Sequence, residues 1–266
     1  MSFKGKVVIV TGSSSGIGQS TAELFAAKGA NVTIHGQNEE RLQKTVELLK
    51  KNGVSECRLL VVRGLIEKEE TRKQLINETI KKFGRLDVLV NNAAATLKPG
   101  TDANSFESYD YVMGINVRAL MDLCDQATPH LSKTRGNIVN VSSIGAQQAF
   151  TNTIPYVCSK AAVNHYTRNL AVVLASKGIR VNSVSPGGVD TNFNNHLAKN
   201  REELDAIYKY YAETTIPLGR IAKPKEIAYA IEFLADNEKA SYILGTNLDV
   251  DGGICAGRPV PKAATT

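Results

Sequence analysis

The chain has 266 residues, 42% of them apolar and 22% charged, which excludes a disordered or fibrous chain and leaves room for one large α/β domain or two small ones. Its formal charge of +6 is scattered, with no basic run longer than a pair, so no nucleic-acid partner is expected, only some steering of an anionic ligand. Cys57, Cys124, Cys158 and Cys255 show no paired spacing, no apolar run approaches membrane-spanning length, and Met1-Ser2-Phe3-Lys4-Gly5-Lys6 leads straight into a strand, so a reducing cytoplasm is the expected setting, with no membrane partner.

In chain order, strands are expected at Lys6–Val10, Asn31–His35, Arg58–Val62, Asp87–Val90, Asn137–Val141, Arg180–Val184 and Thr246–Val250. Helices are expected between them at Ile17–Lys28, Glu39–Asn52, Lys68–Phe83, Tyr109–His130, Tyr156–Lys177 and Lys225–Ala235. Gly29, Gly53, Gly84 and Gly178 stand where four of these helices should stop. Alternation of this kind predicts an α/β fold: a doubly wound parallel sheet with helices on both faces. No break in composition divides the chain, so residues 1–258 read as one domain and 259–266 as a loose tail.

The first expected strand runs into Gly12-Ser13-Ser14-Ser15-Gly16-Ile17-Gly18 and then a helix. Glycines at a strand-to-helix turn let backbone approach a pyrophosphate, which sits on the helix N-terminus. Gly12 to Gly16 also match Gly-x-Ser-x-Gly, the nucleophile elbow of α/β-hydrolases, with Ser14 as nucleophile. That alternative needs a later histidine, and of His35, His130, His165 and His196 only His196 is both late and loop-like. No His-x-x-x-His pair or cysteine cluster suggests a metal site.

Further on, Ser143 closes an expected strand and stands thirteen residues before Tyr156, itself four before Lys160. Residues four apart on a helix lie on one face, so the Lys160 ammonium is expected beside the Tyr156 phenol. A phenol titrates near ~10 in water. A nearby cation lowers that value and yields a tunable general acid or base.

Thr11-Gly-x-x-x-Gly-Ile-Gly18, Asn91-Asn92-Ala93-Ala94, Asn116, Ser143, Tyr156-x-x-x-Lys160, Pro186-Gly187-x-Val189-x-Thr191 and Asp251-Gly252-Gly253 occur in order along residues 5–255. Together they resemble the short-chain dehydrogenase/reductase family, and within it the tropinone-reductase-like carbonyl reductases. The resemblance implies a Rossmann-type sheet, NAD(P)(H) and hydride transfer to or from a carbonyl or secondary alcohol. It implies that Tyr156 exchanges the proton, that Lys160 lowers its pKa and bonds the nicotinamide ribose, and that Ser143 holds the substrate oxygen. It implies that Asn116 anchors a water leading from Lys160 to solvent. Gly12, Ser13, Ser15, Gly16, Ile17 and Gly18 would wrap the phosphates, Asn92 and Ala93 would pass the adenosine ribose, and Val189 and Thr191 would meet the carboxamide. Homo-oligomers, most often tetramers, are common in the family, with helices Tyr109–His130 and Tyr156–Lys177 across an interface. The other class of reading is a binding protein that keeps the fold and cofactor pocket with weak or no turnover.

The chain departs from the family pattern in three places. Ala94 replaces a glycine. Gly64 replaces the aspartate near the adenine, leaving that contact to backbone such as Leu65. The end of the second strand, His35-Gly36-Gln37-Asn38, carries neither the acid that holds the ribose 2′-hydroxyl of NAD nor an arginine at Gln37. With Arg41 one helical turn on, NADP(H) is expected over NAD(H); Gln37→Arg should widen that preference and Gly36→Asp reverse it. Residues 191–217 would form the substrate lid. Of Phe193, Leu197, Leu204, Ile207, Tyr208, Tyr210 and Tyr211, some should pack as two short amphipathic helices. The rest, with Ile144, Gly145, Gln147 and Phe150, should wall a pocket for an apolar or amphipathic small molecule.

Overall fold

A computed structural model describes residues 3–259, with the side chain of His196 left out; the tail expected at 259–266 lies outside the described residues except for Pro259. Seven parallel strands form one sheet in the order β3-β2-β1-β4-β5-β6-β7. They are β1 (Val7–Val10), β2 (Asn31–Gly36), β3 (Leu59–Arg63), β4 (Val88–Asn91), β5 (Asn137–Val141), β6 (Arg180–Pro186) and β7 (Asn247–Val250). Each expected strand is present, displaced by at most two residues at an end. The strands were legible because they are rich in valine, isoleucine and leucine: side chains alternate between faces, and both faces are covered. Val8 and Val10 join the core under α1 (Gly16–Ala27), α2 (Glu39–Lys51) and α8 (Pro224–Ala235). Val7 and Ile9 join the core on the other face, under α3 (Glu69–Phe83), α5 (Leu120–Thr134) and α6 (Ile154–Ala175).

The helix expected at Tyr109–His130 begins earlier, as α4 (Phe106–Met113), where the Ser105 side chain accepts from Ser108 N–H. It then passes through a π-turn at Gly114–Ala119 into α5. A π-turn adds one residue to the hydrogen-bonded ring, and the apolar periodicity does not reveal it. The segment expected to form the lid folds as a 3-10 turn, Asn192–Leu197, followed by α7 (Arg201–Thr214), whose first turn is capped by Asn200. A satellite cluster of Ile144, Ile216 and Ile254, with Phe150, Tyr211 and Ile221 against it, supports this end of the sheet. The strand order reverses between β1 and β4, and at such a switch point the carboxyl strand ends leave a crevice.

Candidate active site

A cleft of about 1010 Å³ opens at the carboxyl ends of the strands. Its floor begins where β1 turns into α1. Gly12 has φ +63°, a conformation L side chains rarely adopt. Gly18 has to lack a Cβ, which would lie 2.4 Å from Gly12 O. Helix α1 starts with Ser15 at its N-cap, without a side-chain cap bond and without an acid in the first turn. By contrast, Asn38 and Asn200 cap α2 and α7. The first amides of α1 therefore have no side-chain acceptor. Ser15, Gly16 and Ile17 line the cleft, so this helix end suits a phosphate. The donor set fits the dinucleotide that the motif implies.

Around this turn Thr11 Oγ1 accepts from the backbone N–H of Asn92 and of Ala93, both at 3.0 Å, while Asn92 Nδ2 donates to Thr11 O at 2.9 Å and Gly12 O at 3.1 Å. Asn92 and Ala93 line the cleft as expected. Ser13 does not: its hydroxyl is buried, donates to Val10 O at 2.8 Å and accepts from His35 N–H. Ser14 takes the lining position instead. Gly12 lines the cleft as expected, and its N–H donates to His35 Nδ1 on the same wall at 3.3 Å. Gly18 belongs to the packing beneath the turn rather than to the cleft wall.

At the adenosine end the wall comprises His35, Gly36, Gln37, Arg41, Gly64 and Glu67. A side cleft of about 590 Å³ extends from it, lined by Gln37, Asn38, Arg41, Arg63, Gly64 and Leu65. Leu65 thus faces the side cleft, not the main one. Arg63 Nη1 pairs with Glu39 at 2.5 Å, and its Nε donates to Gln37 O at 3.5 Å. Two guanidinium groups therefore border one small space, and the nearest acid of the α2 turn is already paired.

The strand-to-helix geometry at β5 and α6 separates the two serines. Ser142 Oγ donates to Lys160 O at 3.3 Å, a contact within the scaffold. Ser143 Oγ accepts from Gly145 N–H at 3.0 Å and hydrogen-bonds to the Tyr156 phenol. Lys160 Nζ donates to Val141 O at 2.8 Å and lies 5.7 Å from the Tyr156 ring centroid. Burial pushes Tyr156 up to about 12, the Ser143 hydrogen bond pulling the other way, and pushes Lys160 down to about 8. The expectation that Lys160 lowers the phenol pKa does not describe this state of the protein. Desolvation dominates, and at neutral pH the phenol holds its proton.

Asn116 sits in the π-turn, buried. Its Nδ2 donates to Ala95 O and Ser159 Oγ, both at 2.9 Å, and its Oδ1 accepts from Ala95 N–H at 2.8 Å. Ser159 Oγ in turn donates to Tyr156 O at 2.6 Å. The side chain is thus occupied in fixing the Ala95 loop to α6, and it does not reach the cleft wall.

The segment expected to form the lid comes close to Tyr156. Phe193 lies 6.0 Å from the Tyr156 ring, tilted by 52°. Asn194 Nδ2 donates to Val189 O and to Tyr208 Oη, and Arg201 forms a two-bond pair with Asp190 at 2.9 and 3.0 Å. Leu197, Ile207, Tyr208, Tyr210 and Tyr211 line the cleft, whereas Leu204 is buried on α7 away from the cleft wall. Val189 and Thr191 line it as expected, as do Ile144 and Phe150. Gln147 instead bonds Asp249 at 2.8 Å, and Gly145 packs against Val157 and Phe150. His35, Glu67 and Tyr111 are lining residues that sequence reasoning missed, since only the meeting of separate loops brings them there. Among the described residues, no group of three or more His, Cys, Asp or Glu could hold a metal ion, and no helix is long and apolar enough to cross a membrane.

Comparison with known proteins agrees with this geometry. A family model described as enoyl-(acyl carrier protein) reductase matches residues 12–255. Glucose 1-dehydrogenase of Gluconobacter oxydans is 37% identical over 254 residues, covering 95% of this chain and 92% of that protein. A short-chain dehydrogenase/reductase of unknown function from Caenorhabditis elegans, solved with cofactor, superposes with a TM-score of 0.93 at 41% identity, covering all of both chains. The apo form of glucose dehydrogenase from the same organism gives a TM-score of 0.83 at 42% identity, covering 96% of this chain and 99% of that one. With a matching family model, such relatives and the same parallel sheet, this chain belongs to the short-chain dehydrogenase/reductase family.

Proposed function

We propose that this NAD(P)-dependent oxidoreductase reduces the carbonyl, or oxidises the secondary alcohol, of an uncharged apolar or amphipathic small molecule. One observation carries the reading: Ser143, Tyr156 and Lys160 meet in a cleft whose lid side is lined by Phe150, Phe193, Leu197, Ile207, Tyr208 and Tyr211. The charged residues of the wall other than Lys160 are Arg41 and Glu67, on the segments after β2 and β3. A charged substrate would find no partner at the lid. Family membership sets aside the hydrolase reading of Ser14, and the meeting of Ser143, Tyr156 and Lys160 supports turnover over the binding-protein reading, whose basis is the departures at Gly64 and Ala94.

The nicotinamide supplies or accepts the hydride. In reduction, Tyr156 gives its proton to the developing alkoxide and Ser143 Oγ–H donates to the same oxygen. A phenol held at about 12 is protonated when the carbonyl arrives. Lys160 is charged below about 8. It supports the phenolate that the transfer leaves, and it would hold the nicotinamide ribose of a bound cofactor. Because the Asn116 side chain is occupied, a water on the proton path would rest on its backbone carbonyl, in the π-turn.

NADP(H) is preferred to NAD(H), since Arg41 and Arg63 border the space beyond Gln37 and no free carboxylate faces it. The protein works as a homo-oligomer, a tetramer by family habit. Phe106, Tyr109, Met121, Ile154, Val172 and Val173 are exposed on α4, α5 and α6, the helices expected to pair. Cytoplasmic residence goes with four free cysteines.

A second reading, oxidation of an aldose, draws on the names of the two glucose dehydrogenases and on the amide side chains of Asn152 and Asn192 at the cleft wall. A turnover screen with both cofactors, set against uncharged ketones, oxoacids and aldoses, tests the proposal. Turnover of hydrophobic ketones with NADPH is expected; activity confined to oxoacids or aldoses would overturn the substrate class.

A further inference from the structure

We propose that His35 is a positioning residue for the dinucleotide: its buried imidazole ties the phosphate turn at Gly12 to the adenine-side loop at Gly64. The inference rests on the cofactor reading of the cleft and concerns a residue which that reading does not use.

Two loops meet at this ring. His35 is the penultimate residue of β2, only 3% exposed, and it lies on the cleft wall. Its Nδ1 accepts from Gly12 N–H at 3.3 Å, and its Nε2 lies 3.1 Å from Gly64 O. A backbone N–H can only donate and a carbonyl can only accept. The two contacts therefore fix the tautomer: Nδ1 is the acceptor, and Nε2 carries the hydrogen and donates to Gly64 O. The imidazolium has no place here, because a second proton would face the Gly12 N–H. Burial acts in the same direction, holding the ring's pKa down at about 4.

The ring is itself held. His35 N–H donates to Ser13 Oγ at 2.9 Å, and Ser13 N–H donates to His35 O at 2.8 Å. Both tethered glycines are constrained on their far sides. Gly12 lies against Ala93, and a Cβ on Gly64 would come 2.4 Å from Thr71 Oγ1.

The consequence concerns cofactor affinity. The Gly12 turn sets where the first amides of α1 point, and the Gly64 loop borders the adenosine end. A dinucleotide touches both, so binding is strongest when their separation is fixed beforehand. Removing the ring's two polar contacts leaves an amide and a carbonyl unsatisfied and frees the two loops from each other.

The test compares His35→Phe, which keeps a flat ring without either hydrogen bond, with His35→Gln, which keeps an acceptor and a donor. Dissociation constants for NADPH and NADH are measured by nicotinamide fluorescence, with a melting curve for each variant. The folded Phe variant is expected to bind both cofactors about tenfold more weakly, a loss on the scale of one buried hydrogen bond. The Gln variant should recover most of the affinity. The loss should appear with both cofactors, because the pyrophosphate and adenosine that touch the two loops are common to them. A folded Phe variant with wild-type constants would overturn the proposal, as would a Gln variant no better than Phe. If the Phe variant does not fold, imidazole nitrogen chemical shifts of the wild type decide: Nε2–H with Nδ1 as acceptor, retained on cofactor binding, supports the tether, and the opposite tautomer overturns it. Failure of the wild type to bind either cofactor would count against the cofactor reading itself, a distinct outcome.

Discussion

Lys160 is buried and Tyr156 half-buried on the same face of α6, and desolvation moves their titrations in opposite directions. The sign of each effect on stability follows from comparison with the unfolded chain. An unfolded lysine keeps its proton up to about pH 10.4, whereas Lys160 loses its proton near 8. Between these values the unfolded state binds more protons, so stability rises with pH across that window. Methionine at 160 removes this dependence. The stability of Lys160→Met relative to wild type should therefore fall between neutral pH and about pH 10, by ~3 kcal/mol. Denaturant unfolding of both proteins at the two ends of the window measures it, and a difference that does not change with pH would contradict the buried amine. Tyr156 acts with the other sign. Its raised pKa adds stability that is present below about pH 10 and lost as pH climbs through about 12, outside this window.

At the scale of elements, the turn into α1 is the part most sensitive to one atom. In Gly18→Ala the new methyl meets a backbone carbonyl 2.4 Å away, which cannot rotate aside like a side chain. A loss of ~1–3 kcal/mol is expected, as for other overpacked sites, together with weaker cofactor binding. Thermal melts with and without NADPH measure both, and a variant as stable as wild type would show that the turn has more slack than its geometry allows. This turn was legible in the sequence, because glycine spacing after an apolar strand reports backbone shape directly. So were the parallel sheet and the positions of Ser143, Tyr156 and Lys160, whose spacing along β5 and α6 is local. The π-turn at Asn116 was not, since the 3.6-residue period runs on either side of it. The commitments of Ser13 and His35, and the pairing of Arg63 with Glu39, were not legible either. They depend on which strand ends meet, and no local pattern encodes that. The expectation for Tyr156 and Lys160 erred for a related reason: spacing gives proximity but not burial, and burial decides the charge states.

For the molecule as a whole, cofactor choice and assembly depend on surfaces built from several elements. Arg41 and Arg63 should favour a 2′-phosphate, giving NADPH about tenfold tighter binding than NADH at low salt. Added salt should narrow the gap, because both guanidinium groups are reached by solvent. Gly36 was the expected place for a reversing acid, but its Cβ would lie 2.9 Å from Ser14 Cβ. Gln37→Asp is therefore the substitution expected to reverse the preference. Titration of wild type and variant at two salt concentrations checks this, and tighter NADH binding by wild type at low salt would contradict it. The exposed Val172 and Val173 on α6 should be covered in an oligomer. Sedimentation at micromolar concentration should show a species larger than the monomer, and Val173→Lys should shift it downward; a wild-type monomer would contradict the assembly.

The role of Tyr156 is tested most directly by a single turnover. Enzyme loaded with NADPH is mixed with an uncharged ketone that the wild type reduces, and loss of nicotinamide absorbance is followed for wild type and Tyr156→Phe. The phenylalanine keeps the ring against Phe193 and removes only the transferable proton. A rate lower by ~10²–10⁴, the usual contribution of a general acid, is expected with NADPH affinity unchanged. A Tyr156→Phe enzyme that reduces the ketone at a rate near wild type would contradict the role assigned to Tyr156.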